Sequence, residues 1–168
     1  MKFKNLKQED KNLIYDLEEE KKKLEAFLEQ VIQNFKSLSI QISSELSRVK
    51  MVENNAKAIN RVSTMNFKAK TLILFRIRET KATKEKVLAN KKLLIADRKL
   101  LNSRPSGYPP QMVRYKLSLI YFKLLKIDEI ISYLDEKLKE LKTLKNEFLS
   151  YNYFVGHLSK IYSIQSVH

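Results

Sequence analysis

For its first 104 residues the chain contains neither glycine nor proline. These two residues interrupt helices: proline lacks the backbone N–H and collides with the preceding turn, and glycine loses the most backbone entropy. A stretch of this length without either is built for helices. Sandwich and barrel folds need Gly- and Pro-rich turns at short intervals, yet all 168 residues hold only two Gly and three Pro. All three Pro and one Gly fall within Pro105, Ser106, Gly107, Tyr108, Pro109 and Pro110. One hinge is therefore predicted over 103–110. The other glycine, Gly156, is read as a helix stop near the C-terminus.

The apolar residues then fix the helix faces. After the hinge, Val113, Leu117, Ile120, Leu124, Ile127, Ile131, Leu134, Leu138 and Leu141 follow one another at alternating spacings of four and three. A repeat of about 3.5 residues keeps one seam against a partner helix. The first arm carries a similar stripe through Ile14, Leu17, Leu24, Leu28, Val31, Phe35, Leu38, Ile42, Val49, Val52, Ala56 and Ile59, missed only at Lys21 and Glu45. Residues 60–102 are less regular. Val62, Met65, Ala69, Leu72 and Ile73 read as one helical face, and Val87, Leu88, Leu94, Ile95 and Leu101 as its continuation. Thr71 to Arg78 also alternates as a strand would, but no turn chemistry or partner strand accompanies it.

The expected fold is all-α: a long antiparallel helical hairpin or a three-helix bundle with coiled-coil packing. It forms one domain over 1–168, with a helical arm over 5–102, a helix over 111–152 and an aromatic tail over 153–168. Two architectures satisfy the pattern. A bend near 53–57 gives three antiparallel helices. An unbent arm gives one very long helix whose first seam needs a second chain to cover it. The tail and the residues leading into it hold Tyr151, Tyr153, Phe154, Val155, Leu158, Ile161, Tyr162 and Ile164. It is expected to fold back and cap its own bundle, with partner docking as the alternative.

The charge is concentrated. Lys and Arg number 33 against 19 Asp and Glu, a net of +14. Residues 1–60 carry a net of +1 and residues 105–168 a net of +3, whereas residues 61–104 have 13 basic and 3 acidic side chains. Five of the seven Arg lie in this segment. Arg61, Lys68, Lys70, Arg76, Arg78, Lys81, Lys84, Lys91 and Arg98 are the candidate residues for a polyanion-binding face. The alternative is a solvated face balanced by Glu18, Glu19, Glu20, Glu25 and Glu29 of a neighbouring helix. No zinc motif, recognition-helix motif or aromatic RNA-binding strand is present. With only Phe67 and Phe75 as aromatics in 61–104, a stacking platform for single strands has little to build on.

Catalytic chemistry finds few residues to work with. Cys is absent, the two His are His157 and His168, and no acidic residue lies three positions before either. Thiol catalysis, a Gly-rich phosphate loop and a carboxylate-and-His di-metal bundle are thus all unsupported. Carboxylate pairs such as Asp128 with Glu129 and Asp135 with Glu136 read as solubility and helix–helix ion pairing. No cofactor or metal is expected.

The longest apolar runs fall far short of a membrane span, which needs roughly 20 residues. No large apolar face accompanies the basic segment, so attachment to a membrane surface is the weakest reading. The expectation is a non-catalytic cytoplasmic adaptor. Its seam residues Leu24, Leu28, Val31, Phe35, Leu38, Ile42, Leu117, Ile120, Leu124, Ile127, Ile131, Leu134, Leu138 and Leu141 would drive self-association or partner pairing. Its basic segment would dock an acidic surface. The alternative is a sequence-nonspecific nucleic-acid-binding protein using 61–104.

Overall fold

The computed structural model describes residues 6–51, 56–103 and 107–167. The chain forms three α-helices: α1, Gln8–Met51; α2, Ala56–Ser103; and α3, Pro110–Val167. They pack against each other as an all-α three-helix bundle. The unbent arm is not what forms: α1 and α2 are separate helices, and Glu45 of α1 is joined to Arg61 of α2 at 3.0 Å. A seam left bare for a second chain therefore does not arise. Thr71 to Arg78 is helical, not a strand.

The helix ends follow from local chemistry. Glu9 and Asp10 in the first turn of α1 complement the positive end of its dipole. Pro110 opens α3, where its missing N–H would have had no intrahelical partner. The Pro109 carbonyl accepts from the N–H groups of Met112 and Val113 at 2.9 and 3.1 Å. Gly156 does not stop α3, which runs on to Val167. Its neighbours explain why: Val155 is buried and Leu158 packs against the core. That packing outweighs the roughly 1 kcal/mol that glycine costs inside a helix. Residues 153–161 accordingly continue the helix and do not form a separate cap. The side chains of Tyr162 and Ile164 lie outside the described residues.

Two packed units can be described, each drawing on all three helices. The first comprises residues up to Phe27 together with Thr80–Glu136. Its buried apolar residues are Leu6, Ile14, Val87, Ile120, Leu124, Ile127, Ile130 and Leu134. Only Val87 of these comes from α2. Polar bonds tie the helices together around this small core. The Lys7 N–H donates to the Tyr115 hydroxyl at 2.9 Å, and that hydroxyl donates to Asp10. Tyr133 donates to the Glu25 carbonyl at 3.2 Å. Lys126 meets Glu18 at 2.6 Å. Partners on α1 and α3 rise in number together, so these helices run parallel. On α2 and α3 they run in opposite order, with Lys84 on Asp135 and Lys91 on Asp128.

The second unit comprises Leu28–Glu79 with the residues from Lys137 onward. Its core is continuous: Val31, Phe35, Ile42 and Val49 from α1, Val62, Ile73 and Ile77 from α2, and Leu141, Leu144 and Phe148 from α3. Phe148 is fully buried. Its ring meets Phe35 edge-on at 6.1 Å and Tyr151 at 6.3 Å. Burying such a side chain contributes about 1.5–3 kcal/mol.

The predicted seams face inward. Leu28, Val31, Phe35, Ile42, Ile120, Leu124, Ile127, Leu134, Leu138 and Leu141 are buried, and Leu24, Leu38, Leu117 and Ile131 are half-buried. Ile130 and Leu144 are buried beside the α3 seam. The apolar stripe of α3 is thus wider than a two-helix seam, because it serves two neighbours.

Candidate functional site

The inward side of α2 passes through Ile59, Val62, Asn66, Ala69, Ile73, Ile77, Thr80 and Val87, all buried. Their spacings of three and four, with one step of seven across half-buried Lys84, mark a single helical face. Polar residues occupy several positions on it. Asn66, with 1% of its surface exposed, donates from Nδ2 to the Phe148 carbonyl at 3.0 Å. Its Oδ1 is buried and has no hydrogen-bond partner among the described residues. Lys84 and Lys91 continue this side and reach carboxylates of α3.

With these polar residues facing inward, several large apolar residues of α2 face outward. Phe67 is 63% exposed, Phe75 56%, Leu72 45% and Leu74 37%. This corrects the expectation that no sizeable apolar face accompanies the basic segment. It also corrects Leu72, read from the sequence as part of the core face with Val62 and Ala69.

The nine candidate cations divide into two groups. Four are engaged by the chain's own acids. In the second unit Arg61 pairs with Glu45 at 3.0 Å, and Arg76 with Glu79 at 2.8 Å. The Arg76 guanidinium also lies 5.6 Å from the Phe75 ring centre. In the first unit Lys84 reaches Asp135 at 2.5 Å and Lys91 reaches Asp128 at 2.8 Å. The other five have no ion-pair partner among the described residues: Lys68, Lys70 and Arg78 in the second unit, Lys81 and Arg98 in the first. All but half-buried Lys70 are exposed.

The acids that balance α2 differ from those expected. Glu18 pairs with Lys126 and Glu25 with Lys21, while Asp128, Asp135, Glu45 and Glu79 serve α2. The Lys126 ammonium holds the Glu18 carboxyl below its ordinary range, chiefly through their hydrogen bond. The same bond raises Lys126.

One surface on the second unit therefore combines three features. Phe67, Leu72, Leu74 and Phe75 are exposed, Lys68, Lys70 and Arg78 near them in sequence have no ion-pair partner among the described residues, and no acidic residue occurs over 56–78. The sequence marked the cations. It placed Leu72 on the core face and did not foresee that Phe67, Leu74 and Phe75 are exposed.

A second feature of the same unit is a groove of about 750 Å³ between α1 and α3, lined by Lys36, Ile40, Ser43, Ser47 and Glu147 among others. At its floor buried Ser39 donates to Glu147 at 2.7 Å and hydrogen-bonds the Tyr151 hydroxyl at 2.8 Å. These bonds satisfy the Ser39 hydroxyl and clasp α1 to α3. Ser39, Ser43 and Ser47 recur every four residues, which is the signal that could have found this polar stripe. Among the described residues no three His, Asp or Glu side chains gather as a metal site requires.

Among the described residues no helix is long and apolar enough to cross a membrane. Neither protein-family models, nor curated proteins, nor solved structures give a match to this chain.

Proposed function

We propose that this protein is a non-catalytic helical adaptor that docks an acidic surface through the exposed face of α2 between Phe67 and Arg78. The observation that carries the reading is the set of cations left uncompensated there. Lys68, Lys70 and Arg78 have no ion-pair partner among the described residues, while Arg61, Lys84 and Lys91 of the same helix reach carboxylates of the chain. A folded chain that neutralises some cations and leaves others bare beside exposed phenylalanines presents a surface suited to an outside partner.

The apolar seams of α1 and α3 are taken up within the chain, so the reading assigns partner binding to α2. A run of cations tracking a nucleic-acid backbone would need Arg61, Arg76, Lys84 and Lys91 as well. Their pairing with carboxylates weakens that alternative.

Titration of the full chain with fluorescent poly-L-glutamate, and separately with duplex DNA, tests the reading at low and moderate salt. Binding of polyglutamate that weakens as salt rises, and is lost in the Lys68→Glu, Lys70→Glu, Arg78→Glu variant with an unchanged melting temperature, is the expected result. Absence of binding to either polyanion at low salt would overturn it.

A further inference from the structure

We infer that the acidic surface docked by α2 is an anionic lipid bilayer, with Phe67, Leu72, Leu74 and Phe75 entering the headgroup region and Lys68, Lys70 and Arg78 lying among the lipid phosphates. This rests on the docking reading above and names its partner class.

Charge complementarity is the first argument. Residues 56–78 carry six basic and no acidic side chains, so nothing on this stretch of α2 repels a negative surface. Juxtamembrane basic residues gain from the potential of an anionic leaflet. The exposed apolar residues are the second argument. A phosphate backbone or a purely acidic peptide would cover the cations and leave two phenylalanines and two leucines in water. A bilayer interface takes up both classes, since Phe and Leu tips reach the acyl boundary while Lys and Arg stay with the headgroups.

The place of these residues on the helix is the third argument. Phe67 and Phe75 stand on the side of α2 away from its buried Ile59, Val62, Ile73 and Ile77, and Leu72 and Leu74 lie on the two flanks of that side. That side is the outward ridge of one helix. A partner helix packs by setting its side chains into holes between residues of the facing surface, whereas a bilayer accepts a convex ridge. Arg76, the inward-leaning cation of this turn, is held by Glu79. Lys68, Lys70 and Arg78, close to the exposed apolar residues in sequence, have no ion-pair partner among the described residues, as is also true of Lys81 and Arg98 farther along α2.

The test uses the full chain and two kinds of vesicle: phosphatidylcholine alone, and two parts phosphatidylcholine with one part phosphatidylserine. Co-flotation with the mixed vesicles and not with the neutral ones is expected. Replacing both Phe67 and Phe75 by Ser should weaken partitioning at least tenfold and leave polyglutamate binding in place. Each of Lys68→Gln, Lys70→Gln and Arg78→Gln should weaken it about fivefold. Because Phe67 and Phe75 are exposed, the double variant should melt with the parent, which separates lost docking from lost folding.

The chain contains no Trp, so Phe75→Trp provides a single reporter. Its emission should shift to the blue on mixed vesicles and stay in place with polyglutamate. Polyglutamate binding without flotation would overturn the bilayer assignment and leave the docking reading standing. Failure of both would remove both. Flotation unaffected by the double Phe substitution, or a reporter with unshifted emission, would mean adsorption by charge alone and would also overturn the inference.

Discussion

Asn66 shows how one residue can both fix and weaken a core. Its amide nitrogen holds the Phe148 carbonyl, while its amide oxygen is buried with no partner among the described residues. A single polar residue on a seam sets register at a cost in stability, and an unsatisfied buried acceptor costs about 1–3 kcal/mol. Asn66→Leu should accordingly melt at or above the parent, and Asn66→Asp should lose several kcal/mol by burying a charge, roughly as other uncompensated ions do. Urea unfolding of the two variants decides. If Asn66→Leu lost more than about 2 kcal/mol, the amide would be a net stabiliser, not a register device. The Glu18–Lys126 pair carries a pH signature. The lowered Glu18 pKa means stabilisation that is present above its ordinary value of 4.5 and lost as pH falls through the folded value. The raised Lys126 pKa means that the same stabilisation is present below 10.5 and lost as pH rises through its folded value. Both side chains are partly exposed, so the pair is worth a few tenths of a kcal/mol, roughly the range for surface ion pairs. The melting difference between parent and Glu18→Gln should be flat near neutrality and shrink at both extremes. A difference unchanged at pH about 3 would show that the pair is not its source.

Helices α1 and α3 were legible because their seams are apolar almost without interruption. Helix α2 was legible only in part, for a physical reason: its inward side spends positions on Asn66, Thr80, Lys84 and Lys91, and Phe67, Leu72, Leu74 and Phe75 sit outside. A search by apolarity finds Val62, Ala69, Ile73 and Val87, which are buried, but takes Leu72 with them and passes over Asn66 and Thr80. Asp128 and Asp135 do pair between helices as the sequence suggests, but which helix they meet depends on a register that spacing within one helix does not contain. Gly156 was misread because a glycine's tendency to end a helix is small beside the packing of Val155 and Leu158. Two element-scale outcomes follow. A Cβ added at Gly156 would meet nothing within 4 Å, so Gly156→Ala should stabilise α3 by about 0.5–1 kcal/mol, seen as a raised melting temperature. Phe148→Ala removes a fully buried ring and should cost about 3–5 kcal/mol in denaturant unfolding. A loss below about 1 kcal/mol would place that ring outside the core.

At the scale of the molecule, the bundle is closed by its last helix. Lys7 with Tyr115, Glu25 with Tyr133 and Ser39 with Glu147 each join residues 108 positions apart. Leu138, Leu141, Leu144, Phe148 and Val155 of α3 complete the core of the second unit. A fragment ending at Ser103 lacks them all and should show little cooperative unfolding by circular dichroism. Adding a peptide covering Pro110–Val167 should restore a single transition. Full cooperativity in the fragment alone would mean that α1 and α2 are self-sufficient. The separation also sets a timetable during synthesis. With elongation at roughly 5–20 residues per second, a gap of 108 residues amounts to about 5–20 s between the emergence of a position on α1 and that of its partner. For that interval the newborn hairpin has only α2 to shield Val31, Phe35 and Ile42, and a holding chaperone at the ribosome would find its client there.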